Sequence, residues 1–131
     1  RAEHGLLAVR ANYFALGSPP GLFAADELRD GLHGGEMETS LMLHLHPELV
    51  RRDKLADFAG LPQRMAVTHQ CLGPEKPIGF GWLAQDLSSQ GVCGNAAAAD
   101  EQRGARLLDH LADRLAVLVD EAAALPLDVL R

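Results

Sequence analysis

Cysteine is scarce in this chain of 131 residues, which holds only Cys71 and Cys93. A secreted scaffold of this size usually carries more cysteines, because disulfides compensate for a small hydrophobic core. Neither cysteine belongs to a CxxC pair, so the sequence does not indicate a structural zinc site. We therefore expect reduced thiols in a cytoplasmic protein, with Cys93 as a small core residue.

Basic residues and long apolar runs are also scarce. Twelve Lys and Arg residues against eighteen Asp and Glu residues leave a formal charge of −6 at pH 7. Nucleic acid and anionic membrane surfaces bind basic faces, so we expect neither as a partner. No apolar run approaches the roughly 20 residues that a membrane-spanning helix needs, and the printed sequence opens without the pattern of a secretory leader.

The remaining composition is that of one ordinary globular domain, with 47% hydrophobic and 23% charged residues. The beginning of the sequence is less ordinary. It opens on Arg1 rather than Met, and Gly5 resembles the residue that closes a helix lying upstream. We therefore interpret residues 1–131 as the C-terminal portion of a single domain in a longer polypeptide.

Strands are predicted in three places. Residues 5–14 are rich in apolar, β-branched and aromatic side chains and end at a cluster of glycine and proline, which is typical of a buried strand. Residues 78–87 carry a similar pattern, with glycines where another part of the chain comes close. A third, weaker strand is predicted to begin at Ala66 and Val67.

Helices are predicted at residues 22–30, 36–45 and 97–124. Pro47 ends or redirects the second helix, and Asn95 or Asp100 can cap the third. One continuous apolar face of the third helix is formed by Leu107, Leu111, Leu115 and Leu118. The mixture of strands and helices favours an α/β layer architecture.

The densest group of reactive side chains lies in residues 30–40, DGLHGGEMETS. This segment places His33 on a glycine-rich turn that leads into a helix N-terminus. Such a turn lets backbone approach a ligand, and the helix offers N–H groups to an anion or a developing oxyanion. An imidazole there can transfer a proton near neutral pH. The alternative, favoured by spacing alone, is a helix cap with a surface histidine and solvated carboxylates.

The other candidate groups favour ordinary structural roles. His44 and His46 form an HxH pair. Residues i and i+2 of an α-helix point roughly 200° apart, so these two side chains cannot share a metal ion. We expect both to be helix or helix-end histidines. Trp82 is more typical of a core side chain than of a surface on which a substrate stacks.

Residues 33–50, HGGEMETSLMLHLHPELV, resemble the creatininase family of creatinine amidohydrolases and their relatives. The similar features are a His-small-Gly-x-x-Glu-Thr-Ser segment, an apolar helix after it, and a Pro-x-x-Val ending. Residues 91–95, GVCGN, and the long helix that contains Gly104 are similar as well. The resemblance covers essentially the whole chain as the C-terminal half of a family member.

This resemblance implies a three-layer α/β/α fold and hydrolysis of a non-peptide C–N bond, in a cyclic amide or a formamide. Family members use water activated by two divalent metals, Zn²⁺ or Mn²⁺. Their metal ligands come from motifs of the Glu-x-His-Gly and Asn-Gly-His-x-Glu type, which this chain lacks. We therefore expect the ligands upstream and assign no metal ligand here. Family members are commonly oligomers, so we expect a homo-oligomer or association with an N-terminal half.

The resemblance also implies roles for individual residues. His33 matches the active-site histidine that contacts substrate and is a candidate proton donor to the leaving nitrogen. Asp30 matches an acidic position that contacts substrate, and Glu38 matches a glutamate that orients the histidine or supports the site. Arg29 stands where enzymes acting on creatinine carry a tryptophan, and a guanidinium cannot form the same apolar lid. Creatinine is therefore disfavoured as the substrate. A non-catalytic fragment that acts as a binding or assembly module is the alternative function.

Overall fold

The computed structural model describes residues 3–75 and 78–129. The α-helices are α1 (Ala25–Asp30), α2 (Glu36–Leu45), α3 (Leu61–Thr68), α4 (Ala84–Leu87) and α5 (Glu101–Ala124). The 3₁₀ turns are Tyr13–Leu16, Pro47–Leu49, Arg52–Lys54, Ala96–Ala98 and Leu127–Val129. Two short strands, β1 (Asp57–Phe58) and β2 (Gly94–Asn95), pair antiparallel, with Asp57 opposite Asn95 and Phe58 opposite Gly94. None of the described helices is both long and apolar enough to cross a membrane.

The three predicted helices are confirmed, and α2 has the predicted bounds. α5 starts four residues later than predicted, because a 3₁₀ turn precedes it. Both predicted caps are used. The side chain of Asn95 accepts a hydrogen bond from the backbone N–H of Ala98 at 3.3 Å, and that of Asp100 accepts one from Arg103 at 2.8 Å. Each residue therefore caps its own helical segment.

α2 and α5 approach each other closely at Gly104. A Cβ atom at Gly104 would overlap the carbonyl oxygen of Ser40, so the two helices approach as closely as glycine allows. The hydroxyl oxygen of Ser40 accepts a hydrogen bond from the backbone N–H of Asp100 at 3.0 Å. The hydrophobic core beside this contact contains Leu22, Phe23, Met37, Leu41, Leu107 and Leu111.

The strand predicted at residues 5–14 is wrong. Residues 5–12 have no regular secondary structure, and Tyr13–Leu16 forms a 3₁₀ turn capped by the side chain of Asn12. The segment is also largely exposed, with Leu6 and Val9 on the surface. An apolar run becomes a strand when a neighbouring strand satisfies its backbone groups, and the described residues provide none beside this segment.

The other two predicted strands are helical or irregular. Ala66 and Val67 lie inside α3, whose start is fixed by Gln63 accepting a hydrogen bond from the backbone N–H of Gly60 at 2.7 Å. Residues 79–83 are irregular and lead into α4. An isolated parallel bridge joins Ile78 to Leu72, so pairing begins at residue 78 and does not continue.

Candidate active site

His33 lies on the loop of residues 31–35, which connects α1 to α2. Its backbone forms an antiparallel bridge with Cys93: the N–H of Cys93 donates to the His33 carbonyl at 2.6 Å, and the N–H of His33 donates back at 3.2 Å. The side chain of Cys93 is fully buried, as predicted. The backbone of His33 is therefore attached to the interior, while its side chain is exposed.

The residue after His33 has to be glycine. Gly34 has a φ of +65°, which L side chains rarely adopt. A Cβ atom there would also lie 2.9 Å from Cγ1 of Val92. Gly34 therefore packs against the side chain of Val92, while the predicted approach of this backbone to a ligand stays a prediction.

Glu38 supports this loop through the backbone. One of its carboxylate oxygens accepts hydrogen bonds from the N–H groups of Gly34 and Gly35, the latter at 3.3 Å. This contact gives α2 its N-terminal cap. Thr39 donates its hydroxyl to the Gly34 carbonyl at 3.3 Å. Among the described residues, the His33 imidazole has no hydrogen-bond partner, so the contacts of Glu38 shape the loop rather than orient the ring.

Tyr13 lies beside the carboxylate of Glu38. Burial of the phenol, the negative charge of Glu38 and a hydrogen bond to that carboxylate together raise the pKa of Tyr13 to about 12. The 3₁₀ turn that carries Tyr13 is held to α5 by His110, whose Nε2 lies 3.2 Å from the carbonyl oxygen of Leu16. The N-terminal segment thus covers the first turn of α2.

Asp30 is almost fully buried, with 2% of its surface exposed. Its carboxylate accepts hydrogen bonds from the guanidinium of Arg29, whose Nε lies 3.0 and 2.9 Å from the two carboxylate oxygens. Its backbone carbonyl accepts a hydrogen bond from Nε2 of Gln63 at 3.1 Å. Arg29 itself is half-exposed. The Asp30 carboxylate is therefore shielded from solvent and paired with the positive charge of Arg29.

Two features of the alternative interpretation are present, since Glu38 caps α2 and His33 is exposed, but the carboxylate of Glu36 is not solvated. Glu36 is buried and forms an ion pair with Arg103 of α5, whose guanidinium also lies 5.6 Å from the centre of the Phe23 ring. Burial raises the pKa of Glu36, although the positive charge of Arg103 opposes this shift. Sequence reasoning missed this pair, because its two members are far apart in the chain.

Glu27 is the second buried glutamate that sequence reasoning missed. Its two carboxylate oxygens accept backbone hydrogen bonds, one from Glu36 at 2.6 Å and one from Asn95 at 2.9 Å. The signal in the sequence was the set of glycines that surround the carboxylate: Gly31, Gly35 and Gly94. These positions indicated a close approach but not the residue that approaches.

Two open cavities adjoin the loop. One, of about 610 Å³, is lined by Asp30 and Leu32 on the loop side and by α3 on the other. The second, of about 480 Å³, is lined by Gly34 and Glu38 together with the cationic side chains of Arg51 and Lys54. His33 therefore falls, in the sequence, between residues that line the first cavity and residues that line the second.

Within residues 3–75 and 78–129, no three His, Cys, Asp or Glu side chains are grouped so that they could hold a metal ion. The buried carboxylates near the loop are already engaged, Glu27 by backbone N–H groups, Glu36 by Arg103 and Asp30 by Arg29. The described residues therefore do not fit a metal centre by themselves.

His44, His46 and Trp82 were the other residues considered from the sequence. His44 lies in the last turn of α2 and His46 is its C-terminal cap, which confirms both as helix-end residues. Nδ1 of His46 lies 3.2 Å from the carboxylate of Glu48, on the surface. Trp82 is partly buried in the irregular segment before α4.

Comparison with known proteins gives two matches. A family model described as Creatininase, creatinine amidohydrolase, matches residues 1–119. A crystal structure of a protein from Bacteroides fragilis NCTC 9343, with the provisional name creatinine amidohydrolase, superposes with a TM-score of 0.65 at 28% sequence identity. The match covers 89% of this chain and 43% of that one, so this chain spans less than half of the solved structure's length.

No curated protein matches the chain. The match at residues 1–119 nevertheless covers most of the 131 residues and includes the loop that carries His33, α2 and most of α5. The segment whose motif suggested the resemblance is therefore the segment that the structure folds into the candidate site. The chain belongs to the creatininase family.

Proposed function

We propose that this chain belongs to an amidohydrolase that cleaves a non-peptide C–N bond, in a cyclic amide or a formamide. The chain contributes the part of the active site that carries the proton donor. Membership in the creatininase family supports a hydrolase of this class. The observation that carries the proposal is the position of His33. Its backbone is held by two hydrogen bonds to the buried Cys93, while its imidazole is exposed beside the loop.

In this proposal His33 protonates the nitrogen that leaves when the C–N bond breaks. Imidazole suits this step because it gains and loses a proton near neutral pH. His33 and Asp30, which lies in the lining of the first cavity, contact the substrate, and Glu38 supports the site by fixing the Gly34–Gly35 backbone. Creatinine itself is disfavoured as the substrate. Enzymes acting on creatinine carry a tryptophan at the position of Arg29, and a charged guanidinium cannot form the same apolar lid.

Proteins of this family are generally metal-dependent. We propose that the protein binds two divalent ions, Zn²⁺ or Mn²⁺, through ligands outside this chain, and that such ions would activate a water molecule when bound. The buried carboxylates described above are engaged with protein groups. This supports the assignment of metal binding to other residues.

We further propose that residues 1–131 form the C-terminal portion of a three-layer α/β/α domain of a cytoplasmic protein. The match to 43% of the Bacteroides structure supports this division. Exposed apolar side chains on and after the distal half of α5 support an uncovered interface: Leu115, Val117, Val119, Leu125, Leu127 and Val129. The N-terminal half of the fold, or a second copy of the chain, would cover them.

Turnover of the active protein, in whatever assembly it forms, tests the proposed function. Dihydrouracil serves as the cyclic-amide probe and formanilide as the formamide probe, with His33→Ala compared with the control His46→Ala. Loss of a general acid costs about 10²–10⁴-fold, so we expect His33→Ala to lose turnover on that scale while its metal content stays unchanged. His46→Ala should retain wild-type turnover. Equal turnover of the two variants would refute the role of His33.

A further inference from the structure

The carboxylate of Glu27 lies at the meeting point of three chain segments. Glu27 belongs to α1 and has 9% of its surface exposed. Oε1 accepts a hydrogen bond from the backbone N–H of Glu36 at 2.6 Å, and Oε2 accepts one from the backbone N–H of Asn95 at 2.9 Å. Since Glu36 begins α2 and Asn95 ends β2, one side chain joins both elements to α1.

Three glycines make room for this carboxylate, and we call them the glycine socket: Gly31, Gly35 and Gly94. A Cβ atom at Gly94 would lie 2.6 Å from Oε1 of Glu27, and Cβ atoms at Gly31 and Gly35 would overlap that oxygen. Gly94 also has a φ of +138°, which L side chains rarely adopt. The socket therefore admits the Glu27 carboxylate because all three positions lack a side chain.

The socket surrounds the residue that the proposed function depends on. Two of its glycines bracket His33 in the sequence, and the third directly follows Cys93, the backbone partner of His33. Both ends of the loop and the segment paired with it therefore converge on one carboxylate. A displacement of Glu27 would be transmitted to the backbone of His33 from both sides.

We infer that Glu27 is a positioning residue of this site, which fixes the backbone that carries His33 without contacting the substrate. The inference rests on the proposed function. A carboxylate suits the task because each of its two oxygens accepts one backbone N–H. Glutamine has one amide oxygen and one NH₂ group, so in Glu27→Gln one backbone N–H would face a donor and lose its partner.

Hydrogen exchange of the wild-type protein tests the contact without any substitution. The first N–H groups of an α-helix have no partner within the helix, so the amide of Glu36 is expected to exchange rapidly unless Glu27 binds it. We expect slow exchange for the amides of Glu36 and Asn95. Rapid exchange at both positions in the folded protein would overturn the inference.

Amide proton NMR of a variant tests the role of the second acceptor. Glu27→Gln is compared with Glu121→Gln, the same chemical change at an exposed position of α5. We expect the Glu36 and Asn95 amide protons to move upfield in Glu27→Gln, with the larger shift at the proton that faces the NH₂ group. They should not move in Glu121→Gln. Unchanged shifts in folded Glu27→Gln would overturn the inference.

Turnover then tests whether the contact positions His33. A misplacement of about 1 Å costs up to roughly 10²-fold in rate, so we expect Glu27→Gln and Gly35→Ala to lower kcat by about 10- to 100-fold with a smaller change in KM. The control Gly81→Ala, where a Cβ atom meets nothing within 4 Å, should keep wild-type kcat. Wild-type kcat in both site variants overturns the positioning role. Wild-type turnover in His33→Ala would instead refute the proposed function. In that case, hydrogen exchange and the amide proton shifts of Glu36 and Asn95 would still test the contact with Glu27.

Discussion

The two halves of α5 follow one apolar pattern but have different surroundings. In the first half, Leu107 is fully buried and Leu111 packs against the core. In the second half, Leu115 of the same face is 49% exposed, and Leu118 is partly buried. Hydrophobic periodicity therefore specifies which face of a helix is apolar. Whether that face is buried depends on a partner, which the described residues provide more fully for the first half than for the second.

The first half of α5 is also the half that is connected to the candidate site. Gly104 packs on Ser40, and Arg103 pairs with Glu36 in the first turn of α2. Asp100 binds the hydroxyl of Ser40 through its backbone N–H. Substitutions in this half should therefore disturb the fold and the site together, whereas matched substitutions in the second half should disturb neither.

The largest expected difference is between two leucine truncations. Leu107→Ala leaves a cavity in the core and should lower the free energy of unfolding by about 2–5 kcal/mol. Leu115→Ala removes a side chain that is half-exposed and should cost less than about 1 kcal/mol. Urea unfolding followed by circular dichroism measures both. Equal losses would show that the second half of α5 is buried in solution, and the comparison would then fail.

Gly104→Ala tests the close approach of α2 and α5. Helix propensity alone would stabilise this variant by about 1 kcal/mol. The overlap with the Ser40 carbonyl should reverse that sign and destabilise the protein by about 1–3 kcal/mol. Thermal unfolding of Gly104→Ala and of the control Gly81→Ala decides between the two. A stabilised Gly104→Ala would contradict the packing described here.

Asp100→Ala removes the N-terminal cap of α5. The backbone N–H of Arg103 loses its acceptor, so we expect a loss of about 1 kcal/mol in the free energy of unfolding. Asp120→Ala is the control in the second half, where a negative charge near the helix C-terminus is slightly unfavourable and its removal should cost nothing. Chemical unfolding curves of the two variants provide the measurement, and a loss confined to Asp120→Ala would be inconsistent with the cap.

The pKa of Tyr13 tests the contact between its 3₁₀ turn and Glu38. Tyr13 is the sole tyrosine of the chain, so its absorbance is not overlapped by another phenol. Its pKa is raised from 10.0 to about 12, so the folded protein binds the phenolic proton more tightly than the unfolded chain does. This contribution to stability is complete below pH 10 and is lost as the pH rises to about 12. Phenolate absorbance should show the raised midpoint, and Glu38→Gln should lower it. A midpoint near 10 in the folded wild-type protein would contradict the contact.

The elements that the sequence predicts well are those fixed by local signals. α2 lies between the Gly35 cap with Glu38 three residues later and the proline at position 47, and all of these signals are visible in one short segment. α5 and its capping residues follow from the same kind of pattern. The glycine-rich loop with His33 was also predictable, because glycine is the residue that permits close approach.

The elements that the sequence does not predict depend on distant partners. Residues 5–14 and 78–87 have strand-like composition, but a strand also needs a neighbour, which composition does not reveal. The Glu27 carboxylate joins backbone groups of Glu36 and Asn95, and Arg103 reaches Glu36 from the other end of the chain. Such contacts arise from packing, so they became visible with the fold.

Chemical rescue of His33→Ala by added imidazole tests the central claim most directly, since an exposed site admits a small molecule whose protonated form can donate a proton. We predict that turnover of the formanilide or dihydrouracil probe, lost in His33→Ala, increases with imidazole concentration, whereas wild-type turnover does not. Full turnover of His33→Ala without imidazole would contradict the account, because the proton would then come from another group.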